Sequence, residues 1–502
     1  MNKFLTLVAF LLILGCQSPE KDKNQSEDQS QSQNQKSEPF TKLTTFVDRY
    51  AQSTLKKGNI NSLAVAVYSN GKTYHNYYGE IDQGANNPPN DSTLYEIASI
   101  SKVFVGSLAA KAVLEGKIRL EDDIRKYLEG EYPNLAYKGT PVTIKNLLSH
   151  TLGFDTPPKL QEVNKKTKAG YYENRPYDYS MDDLLNDLKK VEVKKKPGTF
   201  YKYNNIGPEL VTYILTKVYK RPYKALLSEF LATLGMNNTY LQGYDRYQKR
   251  ISNGYGEDRK RMPLHKNQLS GGAYGVLATL PDLTKFLKFQ LESKAPFIKE
   301  SVRSLFKNDD EQLGYLWDIG FAKKEGFFYL KTGSSYGIQS IVLVCPDSNY
   351  GVVLIMNNNS EAAMTNWVNL YNKIEYDLIR YPKVNLWSTV APTFMNNPQE
   401  AIKKYQASKN DTATYFSSPG YLNKVGYDLM SRKQVQKAIE VFKFAVSEAP
   451  GNANLYDSLG EAYFVAKDYE RARESYKKSL ELNPKNDNAK KTLLKIDKLL
   501  KS

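Results

Sequence analysis

The chain has 502 residues and a formal net charge of +16 at pH 7, with 70 Lys and Arg against 54 Asp and Glu. That length exceeds one ordinary core, so two or more domains are expected. The cations are mostly lysine and spread along the chain, with no arginine-rich arm and no zinc or helix-turn-helix pattern, which argues against nucleic acid as the partner and for a solvated surface.

Lys3 and the apolar run from Phe4 to Leu14 read as the start of a secretory signal, too short for the roughly 20 residues that span a bilayer. The run ends Ile13-Leu14-Gly15-Cys16, which resembles the lipobox of bacterial lipoproteins. That resemblance implies cleavage of residues 1–15, lipidation of Cys16, and a lipid-anchored, envelope-facing location (periplasmic or surface). Residues 17–39 carry no aromatic or branched apolar side chain and cannot bury enough surface to fold, so 16–40 is expected to be a disordered tether. The second cysteine, Cys345, ends the apolar run Ser-Ile-Val-Leu-Val-Cys and reads as a buried core thiol.

A domain-sized segment, 41–385, follows. Leu43, Phe46, Val47, Tyr50 and Leu55 recur with helical period. SLAVAVYSNGKTYHNYYG reads as two strands that turn at Asn70-Gly71. After a helical, loop-rich middle, FFYLKTG, IQSIVLVC and GVVLIMN predict three further strands, and EAAMTNWVNLYNKIEYDLIRY an amphipathic helix. Strands at both ends of the segment predict one antiparallel sheet flanked by helices, with the middle helices forming a second lobe. That is an α+β fold.

Residues 386–420 are expected to connect this domain to a different one at 421–502. Gly426, Ala438 and Pro450 return as Gly460, Ala472 and Pro484, and Leu422, Val425, Leu429 and Phe442 as Tyr456, Leu459, Tyr463 and Tyr476, each 34 positions on. Period and residue order resemble tetratricopeptide repeats, which implies an all-α domain and a protein partner. Two repeats leave open ends, so AKKTLLKIDKLLK is expected to cap one side and residues near 398–416 to cover the other.

Candidate chemistry begins at Ser99 and Lys102, three residues apart at an apolar helix start and so on one face. A nucleophilic serine without a histidine needs another base, and lysine serves if desolvation or a second cation strips its charge. The rivals fail. Gly333-Ser-Ser-Tyr-Gly337 fits a G-x-S-x-G elbow, but that fold places its histidine after the serine, and none follows His265. His75, His150 and His265 are far apart and lack metal-ligand spacing, so no metal or cofactor is expected. Tyr203 and Asn205 lie in a polar loop before a helix, and Lys331, Thr332 and Gly333 close a strand.

Ser99-Ile-Ser-Lys102, Tyr203-Asn-Asn205 and Lys331-Thr-Gly333, in that order, resemble the penicillin-recognising serine hydrolases, nearest the class C β-lactamases and the related D-Ala-D-Ala peptidases and esterases. VTIKNLLSHTLGF, LSGGAYGVLATLPDL and PDSNYGVVLIMNN support the resemblance, which covers roughly residues 43 to 385. It implies Ser99 as nucleophile, with Lys102 and Tyr203 sharing general base and acid work. Asn205 would bond a substrate amide or hold Lys102. Lys331 and Thr332 would meet a substrate carboxylate or stabilise the tyrosine's charge. The N–H groups of Ser99 and Ser334 would form the oxyanion hole. His150 reads as a structural hydrogen-bonding side chain and Ser101 as structural.

The implied activity is acyl transfer to water on an amide or ester, β-lactam or D-Ala-D-Ala-like, including a peptidoglycan-like substrate. The alternatives are a D-Ala-D-Ala carboxypeptidase, a small-ester hydrolase, or a non-catalytic protein acting through its repeats. Lys331 tilts the expectation toward carboxylate-bearing substrates.

Overall fold

The computed structural model describes residues 43–169, 179–265, 269–322, 326–380, 383–417 and 420–500. The signal-like segment, Cys16 and the expected tether lie outside the described residues. Two compact units emerge, Leu43–Glu375 and the described chain from Tyr376 onward.

In the first unit, α1 (Leu43–Leu55) buries Phe46, Val47 and Ala51. Strands β1 (Ser62–Ser69) and β2 (Lys72–Gly79) turn at Asn70 and Gly71, whose φ values of 48° and 82° are the paired left-handed conformations that Asn-Gly supplies at a two-residue hairpin. The chain next contributes α2 (Ser101–Leu114), α3 (Ile206–Tyr219) and α4 (Leu280–Glu292). It then returns to the sheet as β3 (Phe306–Lys307), β4 (Gln312–Leu313), β5 (Asp318–Ala322), β6 (Gly326–Ser334), β7 (Gln339–Cys345) and β8 (Tyr350–Met356), followed by α5 (Glu361–Leu378). The sheet is antiparallel throughout, in the order β3-β4-β5-β6-β7-β8-β1-β2. The N-terminal hairpin thus docks beside the last strand, as the two-ended strand pattern predicts.

Every residue of β1, β7 and β8 is buried, Cys345 included. Alternation divides β1: Ala64, Ala66 and Tyr68 join the core that holds Leu283 and Leu287 of α4, while Leu63, Val65 and Val67 are buried on the opposite face. Helix α2 is buried from Ser101 through Ala110, which is what an apolar-all-round helix requires. Its Phe104 meets Phe286 of α4 at 4.8 Å between ring centroids, and Phe286 lies in turn 6.2 Å from Trp317. A helix buried this completely holds its first turn, which carries Lys102, and the 3-10 turn with Ser99 that runs into it.

The described part of the second unit is helical apart from one short parallel strand pair, Val384–Asn385 with Tyr415–Phe416. Its helices are α6 (Leu386–Asn396), α7 (Pro398–Ser408), α8 (Gly420–Ser431), α9 (Val435–Glu448), α10 (Ala453–Val465), α11 (Tyr469–Leu482) and α12 (Asp487–Leu499). The repeated glycines permit close crossings, since a Cβ on Gly426 would stand 2.3 Å from the Phe442 ring and one on Gly460 3.0 Å from the Tyr476 ring. Helices α6 and α7 share the repeats' core, where Trp387 stacks on Tyr405 at 3.8 Å and meets the edge of Phe444 at 5.8 Å. At the other end α12 buries Ala489 and Ile496.

Candidate active site

Ser99 lies in a 3-10 turn, Ala98–Ile100, that feeds directly into α2. Ala98 has φ 46°, a left-handed conformation that costs a non-glycine residue roughly 1 kcal/mol and that only firm packing sustains. Ala273 and Tyr274 supply that packing. The same turn leaves Ser99 partly exposed between the buried Ala98 and Ile100.

One turn on, Lys102 is 0% exposed. Its Nζ lies 3.0 Å from Ser99 Oγ and 2.6 Å from the carbonyl oxygen of Ala273. Burial first, then the charge of Lys331, drive its pKa well below the usual lysine range. Nζ donates to both oxygens, and once stripped of its charge it would keep an N–H for Ala273 and turn a lone pair toward the serine hydroxyl. Tyr203 Oη donates to Ser99 Oγ at 2.7 Å. Burial, and more weakly the charge of Asp318, push its pKa up, so it is a phenol at neutral pH.

Strand β6 arrives beside this turn through Gly333, whose Cβ, if it had one, would lie 2.1 Å from the carbonyl oxygen of Ile97. Lys331, Thr332 and Ser334 come with it. Lys331 is 2% exposed and sits 5.3 Å from the centre of the Tyr203 ring. Thr332 is partly exposed, and Ser334 Oγ accepts from Gln339 Nε2 at 2.6 Å. Ser101 and Ser335 stand outside the cluster: Ser101 Oγ accepts the Val276 amide, and buried Ser335 donates to Glu96 at 2.9 Å.

Three sequence expectations change. Asn205 is exposed at the start of α3, and its side chain makes no hydrogen bond among the described residues, so it is the Ala273 carbonyl that grips Lys102. Lys331 is not open to solvent anions, because its Nζ lies 3.2 and 3.3 Å from the two carboxylate oxygens of Asp318. His150, at φ 55°, is fully buried with no hydrogen-bond partner on either ring nitrogen among the described residues. It packs instead on the Tyr203 ring at 4.7 Å. Desolvation, then the charges of Lys331 and Lys102, hold it neutral.

Sequence reasoning missed Glu209. Wholly buried on α3, it accepts the Ala273 amide at 2.9 Å and so fixes the peptide segment that holds Lys102. Burial raises its pKa to about 7. The one signal was an acidic residue in the apolar run Ile-Gly-Pro-Glu-Leu-Val. Also missed was a stack in which His265 lies between Tyr274 and Tyr336, 4.5 Å from each. No group of His, Cys, Asp and Glu suited to a metal occurs among the described residues.

A family model described as Beta-lactamase matches residues 47–370. The chain belongs to the β-lactamase family. A second model, Tetratricopeptide repeat, matches residues 453–486 of this family member. Among curated relatives, Protein flp of Staphylococcus aureus (strain N315) is 26% identical over 327 residues, covering 63% of this chain and 63% of that protein. The chain thus spans less than two thirds of the length of that relative. The Beta-lactamase of Providencia stuartii is 24% identical over 349 residues, covering 62% of this chain and 86% of that protein. Among solved structures, a Beta-lactamase/D-alanine carboxypeptidase from Yersinia pestis is 23% identical with a TM-score of 0.57, covering 66% of this chain and 97% of that one. One from Pseudomonas syringae is 22% identical with a TM-score of 0.55, covering 66% and 98%. These structures establish for the β-lactamase-family unit a shared fold.

Proposed function

We propose that this protein is a serine hydrolase that cleaves an amide or ester, of β-lactam or D-Ala-D-Ala-like type, through an acyl-serine. The observation that carries the reading is the convergence on Ser99 Oγ of a desolvated Lys102 amine at 3.0 Å and the Tyr203 phenol at 2.7 Å. Lys102, its hold on a proton weakened by burial and by Lys331, accepts the Ser99 proton as Oγ bonds to the substrate's acyl carbon. The bond to the leaving atom breaks, and that atom takes a proton through Tyr203. Water then adds to the acyl carbon, loses a proton back to the same pair, and releases the acid and free Ser99. The backbone N–H groups of Ser99 and Ser334 would bind the oxyanion, an interaction worth roughly 3 kcal/mol per donor.

Intact-mass measurement after exposure to benzylpenicillin, a cephalosporin, an acyl-D-Ala-D-Ala peptide and an aryl ester tests the reading. An acyl adduct on Ser99, or turnover that Ser99→Ala abolishes, is the expected result. Neither adduct nor turnover with any of the four would leave a non-catalytic protein that works through its repeats.

The same proposal sets the enzyme at the cell envelope, tethered through a lipid on Cys16, with the repeats engaging a protein partner. Residues 13–16 are the support for the anchor. Palmitate labelling and membrane fractionation should both be lost in Cys16→Ser, and a label that persists refutes the anchor.

A further inference from the structure

The lysine contributed by β6 already has an anion. Asp318 lies on the neighbouring strand β5, in register with Leu330, and presents both carboxylate oxygens to Lys331 Nζ at 3.2 and 3.3 Å. The lysine side chain is 2% exposed and the aspartate 29%. A molecule entering the site therefore meets the carboxylate before the ammonium. A second carboxyl, Glu311, is half-buried within the electrostatic reach of both, raised to about 7 chiefly by its burial and next by the charge of Asp318. Tyr201 borders the same region: its phenol feels the charges of Asp318 and Glu311, and its ring stacks with Phe306 at 6.5 Å. Lys331 thus balances Asp318 and leaves Glu311 to add negative charge, so the region is neutral to acidic.

Tyr203 fixes which part of the substrate lies there. Its hydroxyl reaches Ser99 Oγ at 2.7 Å and passes the proton to the departing atom, and Lys331 Nζ lies 5.3 Å from the same ring. If the departing atom is protonated through Tyr203, as in the hydrolase reading above, the leaving group lies on the side of the site that holds the Lys331–Asp318 pair. A carboxylate on that group would be set against Asp318, with Lys331 already shared. Like charges at such range disfavour binding, and displacing Asp318 would strand a carboxylate beside a buried lysine.

Building on the hydrolase reading above, we propose that Asp318 fills the anion position at Lys331 and makes this enzyme select substrates whose leaving group carries no carboxylate. Among the amides and esters proposed above, those with neutral or cationic alcohol or amine leaving groups then react faster than a β-lactam or a D-Ala-D-Ala peptide, whose leaving side carries a carboxylate.

The test uses the full chain and three aryl esters of N-acetyl-D-alanine: phenyl, m-carboxyphenyl and m-aminomethylphenyl. One acyl group gives one acyl-enzyme, so kcat/KM, normalised to each ester's alkaline hydrolysis, reports on the leaving group alone. The m-carboxyphenyl ester should react at least tenfold more slowly than the phenyl ester and the m-aminomethylphenyl ester as fast or faster. Asp318→Asn should bring the anionic ester to within about threefold of the neutral one, or past it. Wild-type preference for the anionic ester, or equal rates for all three, overturns the inference while leaving the hydrolase reading intact. Discrimination unchanged in Asp318→Asn overturns the assignment to Asp318. The comparison of esters on the wild-type protein stands even if the variant does not fold. If no ester acylates Ser99 the inference falls, and the hydrolase reading falls with it only if benzylpenicillin, the cephalosporin and the acyl-D-Ala-D-Ala peptide fail as well.

Discussion

A Cβ on Gly333 would stand 2.1 Å from the carbonyl oxygen of Ile97, two residues before the nucleophile. The strand that carries Lys331 and the turn that carries Ser99 meet at that point, so Gly333→Ala must part them. Overpacking of this kind costs typically 1–3 kcal/mol. The expected variant is folded, with a lowered melting temperature, and acylates Ser99 at least tenfold more slowly with an aryl ester. Acylation within twofold of wild type would mean that the spacing of strand and turn does not govern the chemistry.

The serines separate by their partners. Ser99→Ala should abolish acyl-enzyme formation. Ser101→Ala removes the acceptor of the Val276 amide and Ser335→Ala a donor to Glu96, each costing about 1 kcal/mol of stability without touching the reacting atoms. Mass spectrometry on the three variants decides, and full labelling of Ser99→Ala excludes it as the nucleophile.

Lys102 and Tyr203 both contact Ser99 Oγ and so act on one proton. Lys102→Ala and Tyr203→Phe should each lower kcat by several orders of magnitude, and the double variant should be little worse than either, because groups that work as a unit are not additive. Additive losses in ΔG‡ across the kinetic cycle would assign them to separate steps.

Glu209 gives a pH signature in stability. Burial raises its folded-state pKa to about 7 from an ordinary 4.5. The fold therefore holds the proton more tightly than the unfolded chain does. The associated stabilisation is full below 4.5 and is lost as pH rises through about 7. Glu209→Gln keeps an oxygen for the Ala273 amide but cannot ionise. Its stability relative to wild type should rise from pH 5 to pH 8, by on the order of 3 kcal/mol at the upper end. Melting curves at those pH values check this, and a pH-independent difference refutes it.

Each compact unit has its own apolar core. Removing residues 386–502 should leave a folded catalytic unit with kcat/KM on an aryl ester within tenfold of the full chain. A larger loss in a protein that still melts cooperatively would show that the helical unit helps to build the active site.

Much of this was legible in the residue order because it depends on local demands. Asn70-Gly71 specifies a hairpin, since few other pairs accept two left-handed conformations. The 34-residue return of small and aromatic residues specifies helix pairs that cross closely at Gly426 and Gly460. The three-residue spacing of Ser99 and Lys102 puts them on one face where the 3-10 turn runs into α2. The arrival of Tyr203 and Gly333 beside them is implied by the family resemblance rather than by any spacing.

What holds and modulates those groups was decided by tertiary packing. Ala273 grips Lys102 across 171 residues of chain, and Glu209 fixes Ala273 across 64. Nothing local distinguishes the backbone carbonyl of Ala273 from any other until folding buries it against an amine. Asp318 likewise reads as one acid among many, and only the register of β5 against β6 makes it the partner of Lys331. His150 was expected to bond through its ring because polar atoms in a core usually do, yet it packs at a tilt against the Tyr203 ring and stays neutral beside two lysines. Sequence sets which chemical groups are present and their local geometry. Which of them lose water, and which charges then face each other, is set by contacts between distant segments, because desolvation and Coulomb energy depend on separations of a few ångströms that no residue spacing encodes.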